Sequence, residues 1–522
     1  MSSTLIVAGS VYAPGIPDAQ AILINDGEIS WIGDRQTASQ FRQDATKFLD
    51  LEDAFVSPGF VDAHVHLSAT GLNVLGFNAS AAGSFAELAW LVNNAVTSQK
   101  NDYIYLQGWD DSRWRDSVED FEIELSSQAR QRTFYLARID GHSALVNGPW
   151  LDGGPAQIVS GSVREKIWNQ LALGTSDDLI SECVKSALKL AASNGVVAVH
   201  ENGGPTVSSV SDFELVQSFS NNTLLPAVHT YWADLNPEIA VQLGALGAAG
   251  DLSVDGSIGS RTAKMFKTYS DVTDTSGLAY LDTEQIAEHI VATTLLGIQG
   301  GFHAIGDEAC ERVHQGFQLA LDQVSVSQIR ATRHRIEHLT MPSADSLRLY
   351  AELGVMASVQ PAFDATWGRE GGMYETRLGA ERLSATHPFA DMIKAGMVLA
   401  FGSDSPVTGI NPWDWVRSAN QHNQIDQQIS LRAAFNAATR GGHRAARNDA
   451  SGVLEVGAPA DLAVWQVAGF TEPVSNNTAA SWSTDPRSGT HALPDLDLGD
   501  PDCLMTLRNG VGIFDPAGLF DD

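Results

Sequence analysis

The chain has 522 residues and carries 32 Lys and Arg against 63 Asp and Glu, a formal net charge of -31. That balance opposes polyphosphate backbones and anionic membrane surfaces, so nucleic acid and membranes are excluded as expected partners and a small-molecule substrate remains. The length suits a large α/β barrel with an accessory module. Cys183, Cys310 and Cys503 lie far apart, without the spacing of a disulfide framework or a cysteine zinc site.

The opening stretch "MSSTLIVAGSVYAPG" has no basic segment and no long apolar run. No window approaches ~18 uninterrupted apolar residues, so a cytoplasmic location is expected. The first fifty residues read as a β meander, with "AILINDGEISWIGD" forming two alternating runs around Asp26-Gly27, a two-residue hairpin signal. Next, "SPGFVDAHVHLSATG" follows a Pro-Gly turn with a short strand. Positions two apart in a strand share a face, so His64 and His66 point the same way.

Residues from about 73 to 180, with strand-like pieces "DYIYLQGWDD" and "TFYLARIDGHSALVN", are too long for one crossover and read as an insertion over a barrel mouth. Beyond it, short apolar strands alternate with helical stretches, the pattern of parallel βαβ units. "DLISECVKSALKLAASNG" has helical spacing and stops at Asn194-Gly195, and "TEQIAEHIVATTLLG" has Thr283 as its candidate cap. Strands are expected to end near His66, His200, His229, Asp255, His303, His338, Gln360 and Asp404, the eight that a closed barrel needs. A second long loop, "DATWGREGGMYETRLGAERL", follows the seventh strand on the same side. Near the C-terminus "DLAVWQV" and "MTLRNGVGIFD", turning at Asn509-Gly510, offer further strands. The two β-rich ends then make either one small sheet module or two separate edge ribbons.

In a barrel the C-terminal strand ends converge on one pocket. His64 and His66 from strand one, His303 from strand five, His338 from strand six and Asp404 from strand eight therefore surround one point. Neutral imidazoles with a carboxylate suit zinc and related divalent ions. A divalent metal, zinc expected, one ion or two, is the predicted cofactor. Such an ion lowers the pKa of water, and Asp404 sits where it can accept the water proton and return it to a leaving nitrogen. His142 and Arg261 are the candidate substrate contacts, although His142 could instead cap a turn and Arg261 serve a structural ion pair. Trp109 in "GWDDSRW" and Gln360 in "VQPAF" are weaker candidates, and His200, Glu201 and His229 are further ones at the mouth.

"PGFVDAHVH", "HAIGD", "EHL", "GSDSP", "GVLEVGAPADLAVW", "DGSIGSRTA" and "DGHSALVN" together resemble the amidohydrolase superfamily, in the branch of large metal-dependent hydrolases related to N-substituted formamide deformylase. The resemblance runs from about Ala8 to Phe514. It implies a distorted (β/α)8 TIM barrel, a small β-sandwich built from both termini, and hydrolysis, usually at C-N bonds. The implied divisions are residues 1–54, the barrel over 55–450 and 451–522. Many members carry a carboxylated lysine bridging two metals on strand four. Here "GDLSVDG" has Asp251 at that place, a side chain of much shorter reach. Glu165 in "SGSVREKIW" resembles a glutamate that would give the metals a carboxylate, with a helix surface as its other reading. The leading expectation is hydrolysis of an amide-like, non-peptide C-N bond in a small molecule, with a homodimer as the default assembly. A mononuclear deaminase or cyclic-amidine hydrolase is the alternative, and a catalytically silent binding protein is the alternative of another class.

Overall fold

The computed structural model describes residues 3–520 except 14, 17, 100–102, 152, 173–174 and 472–491, so part of the expected C-terminal segment lies outside the described residues. Four strands open the chain: β1 (Ser3–Val11), β2 (Ala21–Asn25), β3 (Glu28–Gly33) and β4 (Lys47–Pro58). Asp26 and Gly27 turn the β2–β3 hairpin with φ of 46° and 89°, the doubly positive geometry that its sequence signalled. The start is not a simple meander, because β1 pairs antiparallel with β2 and parallel with β4.

The barrel consists of β5 (Phe60–Val65), β10 (Val196–Gly203), β11 (Ala227–Trp232), β12 (Gly247–Ala248), β13 (Gln299–Ala304), β14 (Arg335–His338), β15 (Met356–Val359) and β16 (Val398–Phe401), all parallel and in that order. A bridge between Val65 and Ser405 brings the last strand back to the first. Strand four departs from expectation. It spans only Gly247–Ala248, because Gly250 takes φ of 89° and turns the chain before Asp251. An L side chain at residue 250 would be strained in that conformation. Its Cβ would also meet Asn202 Oδ1 at 2.8 Å. The outer helices follow the sequence signals closely. One covers Asp177–Ser193; another covers Thr283–Leu296, capped by Asp282 rather than Thr283. Asp282 accepts from Gln285 N in a reciprocal capping box.

The insertion carries β6 (Tyr103–Trp109), β7 (Thr133–Arg138), β8 (Ser143–Gly148) and β9 (Gly154–Ser160), one four-stranded sheet with its own apolar core. Arg138, buried, binds three carboxylates: Asp110 at 2.8 Å, Asp111 at 3.0 Å and Asp140 at 2.6 Å. Asp140 in turn accepts from Ser257 Oγ at 2.7 Å and Ser260 Oγ at 2.8 Å, which fastens the insertion to the loop after strand four. The long loop after strand seven is three short helices, Pro361–Trp367, Met373–Leu378 and Ala380–Leu383, and Trp367 Nε1 donates to Asp110 Oδ2 at 3.1 Å. Both long excursions thus close over the same end.

The chain finishes with β17 (Leu462–Gln466), β18 (Asp502–Arg508) and β19 (Val511–Phe514). These join the N-terminal strands in one seven-stranded sheet, ordered β19-β18-β17-β4-β1-β2-β3, so both ends do build one module. Its seam with the barrel is aromatic. Between ring centroids, Phe60 lies 5.0 Å from Trp413 and 5.7 Å from Trp465. Both contacts are edge-on, the arrangement that ring quadrupoles favour. Among the described residues no helix is long and apolar enough to cross a membrane.

Candidate metal centre

The strand ends bring together His64, His66, His303 and His338, whereas His200 and His229, also expected at the mouth, lie deeper. His64 lies within β5 and His66 just beyond it, their rings 5.3 Å apart. His303 in β13 and His338 at the end of β14 are 4.4 Å apart, and His338 is 5.0 Å from His64. Asp404 follows β16, tied back to strand one by its N–H donating to His64 O at 2.8 Å. His338, Leu339 and Asp404 take φ of 67°, 39° and 52°. Non-glycine residues rarely adopt such left-handed conformations, and three of them gather here at the strand ends.

Asp251 occupies the middle of this group, a position that its short side chain did not suggest. One carboxylate oxygen, Oδ2, lies 3.1 Å from His66 Nε2 and 3.5 Å from His64 Nε2. The other, Oδ1, lies 3.3 Å from His303 Nδ1 and 3.6 Å from His338 Nε2. Each oxygen therefore faces a different histidine pair. Asp404 Oδ1 adds a second carboxylate to the first pair, 3.3 Å from His64 Nε2 and 3.2 Å from His66 Nε2. The Gly250 turn makes this reach possible by carrying the backbone of Asp251 into the mouth.

The histidine tautomers are set from behind. Glu337 Oε2 accepts from His64 Nδ1 at 2.9 Å, which turns Nε2 towards the carboxylates, where the neutral ring would offer a metal its lone pair. This buried Nε2 has no hydrogen-bond partner. Gln360 Oε1 likewise accepts from His338 Nδ1 at 2.8 Å, and Gly256 O from His303 Nε2 at 3.3 Å. Glu337 is itself held by Arg335, whose Nε donates to Oε1 and whose Nη2 lies 3.0 Å from Oε2. Burial pushes the Glu337 carboxyl up, but Arg335 and His64 pull it down further, to about 2.

These features match a divalent cation site. Imidazole nitrogens with freed lone pairs, two carboxylates and outer partners that fix the rings are the donor set of zinc-like ions. Two candidate triplets occur among the described residues, His64–His66–Asp404 and His64–Asp251–His338. Burial alone would raise the carboxyls of Asp251 and Asp404, yet the surrounding imidazoles hold both below the ordinary carboxylate value.

The other expected site residues divide. A cavity of about 170 Å³ opens above the cluster, with His142, Glu165, Tyr280 and Tyr374 in its wall. His142 stands 5.1 Å from the His303 ring, and burial followed by the His303 charge lowers its pKa to about 3. Glu165 lines that wall but belongs to neither triplet. Gln360 is committed to His338 rather than open to a substrate. Arg261 turns away from the cavity into a two-point ion pair with Asp271, Nη2 to Oδ2 at 2.7 Å. Trp109 is buried in the insertion core, its Nε1 donating to Leu136 O at 2.8 Å. His200 and His229 lie inside the barrel below the mouth, because β10 and β11 run on to Gly203 and Trp232; His200 Nδ1 is 3.0 Å from Arg335 Nη1. Glu201 accepts from Leu67 N at 2.7 Å, with its carboxyl pushed up by burial to about 7.

The task of Glu337 was missed from the sequence, although its signal was there. Arg335 and Glu337 stand two apart in "RIEH", on one face of a fully buried strand, where burying both side chains requires that they pair.

Comparison with known proteins agrees with this architecture. The model of the amidohydrolase family matches residues 47–514. The protein LONG AFTER FAR-RED 3 of Arabidopsis thaliana is 26% identical over 462 residues, covering 80% of this chain and 78% of its own. Among solved structures, an uncharacterized metal-dependent hydrolase from Pyrococcus horikoshii OT3 superposes with a TM-score of 0.70 at 22% identity, covering 92% of this chain and 99% of that one. Another from Pyrococcus furiosus gives 0.68 at 23%, covering 88% and 98%.

Proposed function

The chain belongs to the amidohydrolase family and is a hydrolase, and from that premise we propose that it hydrolyses an amide-like, non-peptide C-N bond of a small molecule at a metal centre held by His64, His66, Asp251, His303, His338 and Asp404. The observation that carries this reading is Asp251, whose two oxygens face two histidine pairs across one point. That donor set would suit divalent metal, zinc being the fitting one, and Asp251 would offer it carboxylate oxygens where many members of the superfamily carry a carboxylated lysine. N-substituted formamides are the first substrates to try, because the sequence motifs resemble that branch.

A bound divalent ion would lower the pKa of a water molecule towards about 7 and polarise the scissile carbonyl. The protein supplies the remaining chemistry. Asp404, ionised at neutral pH, takes one proton of the attacking water on its carboxylate and delivers it to the nitrogen, so the C-N bond breaks with a neutral amine leaving and a carboxylic acid remaining, which gives its own proton to solvent and departs as the carboxylate. His142, neutral at that pH, stands in the cavity wall to donate a hydrogen bond to the substrate oxygen as charge develops. Tyr280 and Tyr374 border the space a substrate would fill.

The test is product analysis with metal-loaded protein and a panel of small N-substituted formamides and acetamides. Amine and carboxylate should appear in equal amounts, and Asp404→Asn should lower the rate about 10²- to 10⁴-fold. Ammonia release from a heterocycle, with no amide in the panel cleaved, would replace this reading with the deaminase one.

A further inference from the structure

The cavity above the metal centre is not the largest space at this end of the barrel. A second chamber of about 520 Å³ lies beside it, and His66, Tyr105, Trp168 and Val207 line both. Leu72 and Leu179 face this chamber from two different helices, and Phe77, Tyr103 and Trp150 add aromatic surface. Hydrogen bonds pin the shared wall. Tyr105 OH donates to Gln107 Oε1 at 2.7 Å, Trp168 Nε1 donates to Val207 O at 2.7 Å, and the two rings stand 6.0 Å apart. Polar groups sit at the edges: Asp212 accepts from Ser68 Oγ at 2.6 Å, while the buried Trp150 Nε1 and Ser208 Oγ have no hydrogen-bond partner.

A large, aromatic-walled space with a few polar groups is the usual form of a small-molecule subsite. We propose that this chamber is the specificity pocket of the enzyme and takes a planar aromatic group of one or two rings, carried by the substrate whose C-N bond lies at the metal centre. His66 borders both spaces, so a group held in the chamber would lie beside the metal centre. The substrate assignment rests on the hydrolytic reading above; the binding of an aromatic group does not.

Two measurements keep these apart. Indole binding to the metal-loaded protein is followed by calorimetry, and phenylacetamide, N-acetylphenethylamine and acetamide are compared as substrates. Leu179→Trp and Leu72→Trp each fill the chamber from a different helix, and thermal melting confirms that each variant is folded. Wild type should bind indole saturably, and filling should weaken that binding about tenfold or more. At least one aromatic amide should exceed acetamide in kcat/KM by about tenfold or more. Filling should erase this preference while leaving acetamide within about twofold of wild type. No saturable indole binding, or binding and preference unchanged in both folded variants, overturns the pocket even if amides are hydrolysed. Indole binding that is lost on filling, with no amide hydrolysed, upholds the pocket and overturns the hydrolytic reading.

Discussion

At the scale of single residues, the chemistry of the centre depends on which ring nitrogens are left with lone pairs. Glu337 fixes that choice for His64, and removing its charge while keeping its shape isolates the effect. Glu337→Gln is expected to weaken metal affinity by about 10- to 100-fold in a chelator competition, the usual cost of losing an outer partner of a ligand. An unchanged affinity would make Glu337 merely the counter-ion of Arg335. The histidine pair, His303, His338 and Asp404 were legible in the sequence because so many metal-binding side chains at the ends of successive strands rarely occur together without a metal to hold. The reach of Asp251 was not legible. It follows from the left-handed turn at Gly250, a backbone property that the letters "GDLSVDG" permit but do not require. For Arg261 and Trp109 the motifs were legible but the partners were not: Arg261 pairs with Asp271 and Trp109 packs in the insertion core.

At the scale of elements, the hairpins at Asp26-Gly27 and Asn509-Gly510 were readable from two letters each, since their turns demand positive φ. The insertion was recognisable only by its excess length; its sheet is held by pairings distant in sequence. The clamp from Asp140 to Arg138, Ser257 and Ser260 is one point at which the insertion meets the barrel. Burial pushes the Asp140 carboxyl up, but Arg138 and its other partners bring it below its ordinary value of 3.8. A depressed acid stabilises the fold above its unfolded pKa and loses that contribution as pH falls. Asp140→Asn should therefore cost about 2 kcal/mol in denaturant unfolding at pH 7. The deficit relative to wild type should shrink as pH falls below 3.8. A deficit that stayed constant down to acid pH would contradict the ionised clamp.

At the scale of the whole molecule, one barrel carries two closures: the aromatic seam of Phe60, Trp413 and Trp465 at the terminal sheet, and the insertion over the mouth. Alternating strands and helices made the barrel legible throughout, whereas the shortness of strand four was hidden because its glycines break the ladder. Metal bound only to the folded chain adds stability by mass action. Removing it with a chelator should lower the melting temperature by roughly 2–3 °C for an ion held at a hundred times its Kd. The most direct test of the central claim is metal content, measured by mass spectrometry on freshly purified wild type and on His64→Ala, Asp251→Ala and Glu165→Ala. The expected result is bound divalent metal in wild type and in Glu165→Ala, loss with His64→Ala, and a reduced stoichiometry with Asp251→Ala. Wild type that binds no metal even after reconstitution, or full loading of both His64→Ala and Asp251→Ala, would contradict it.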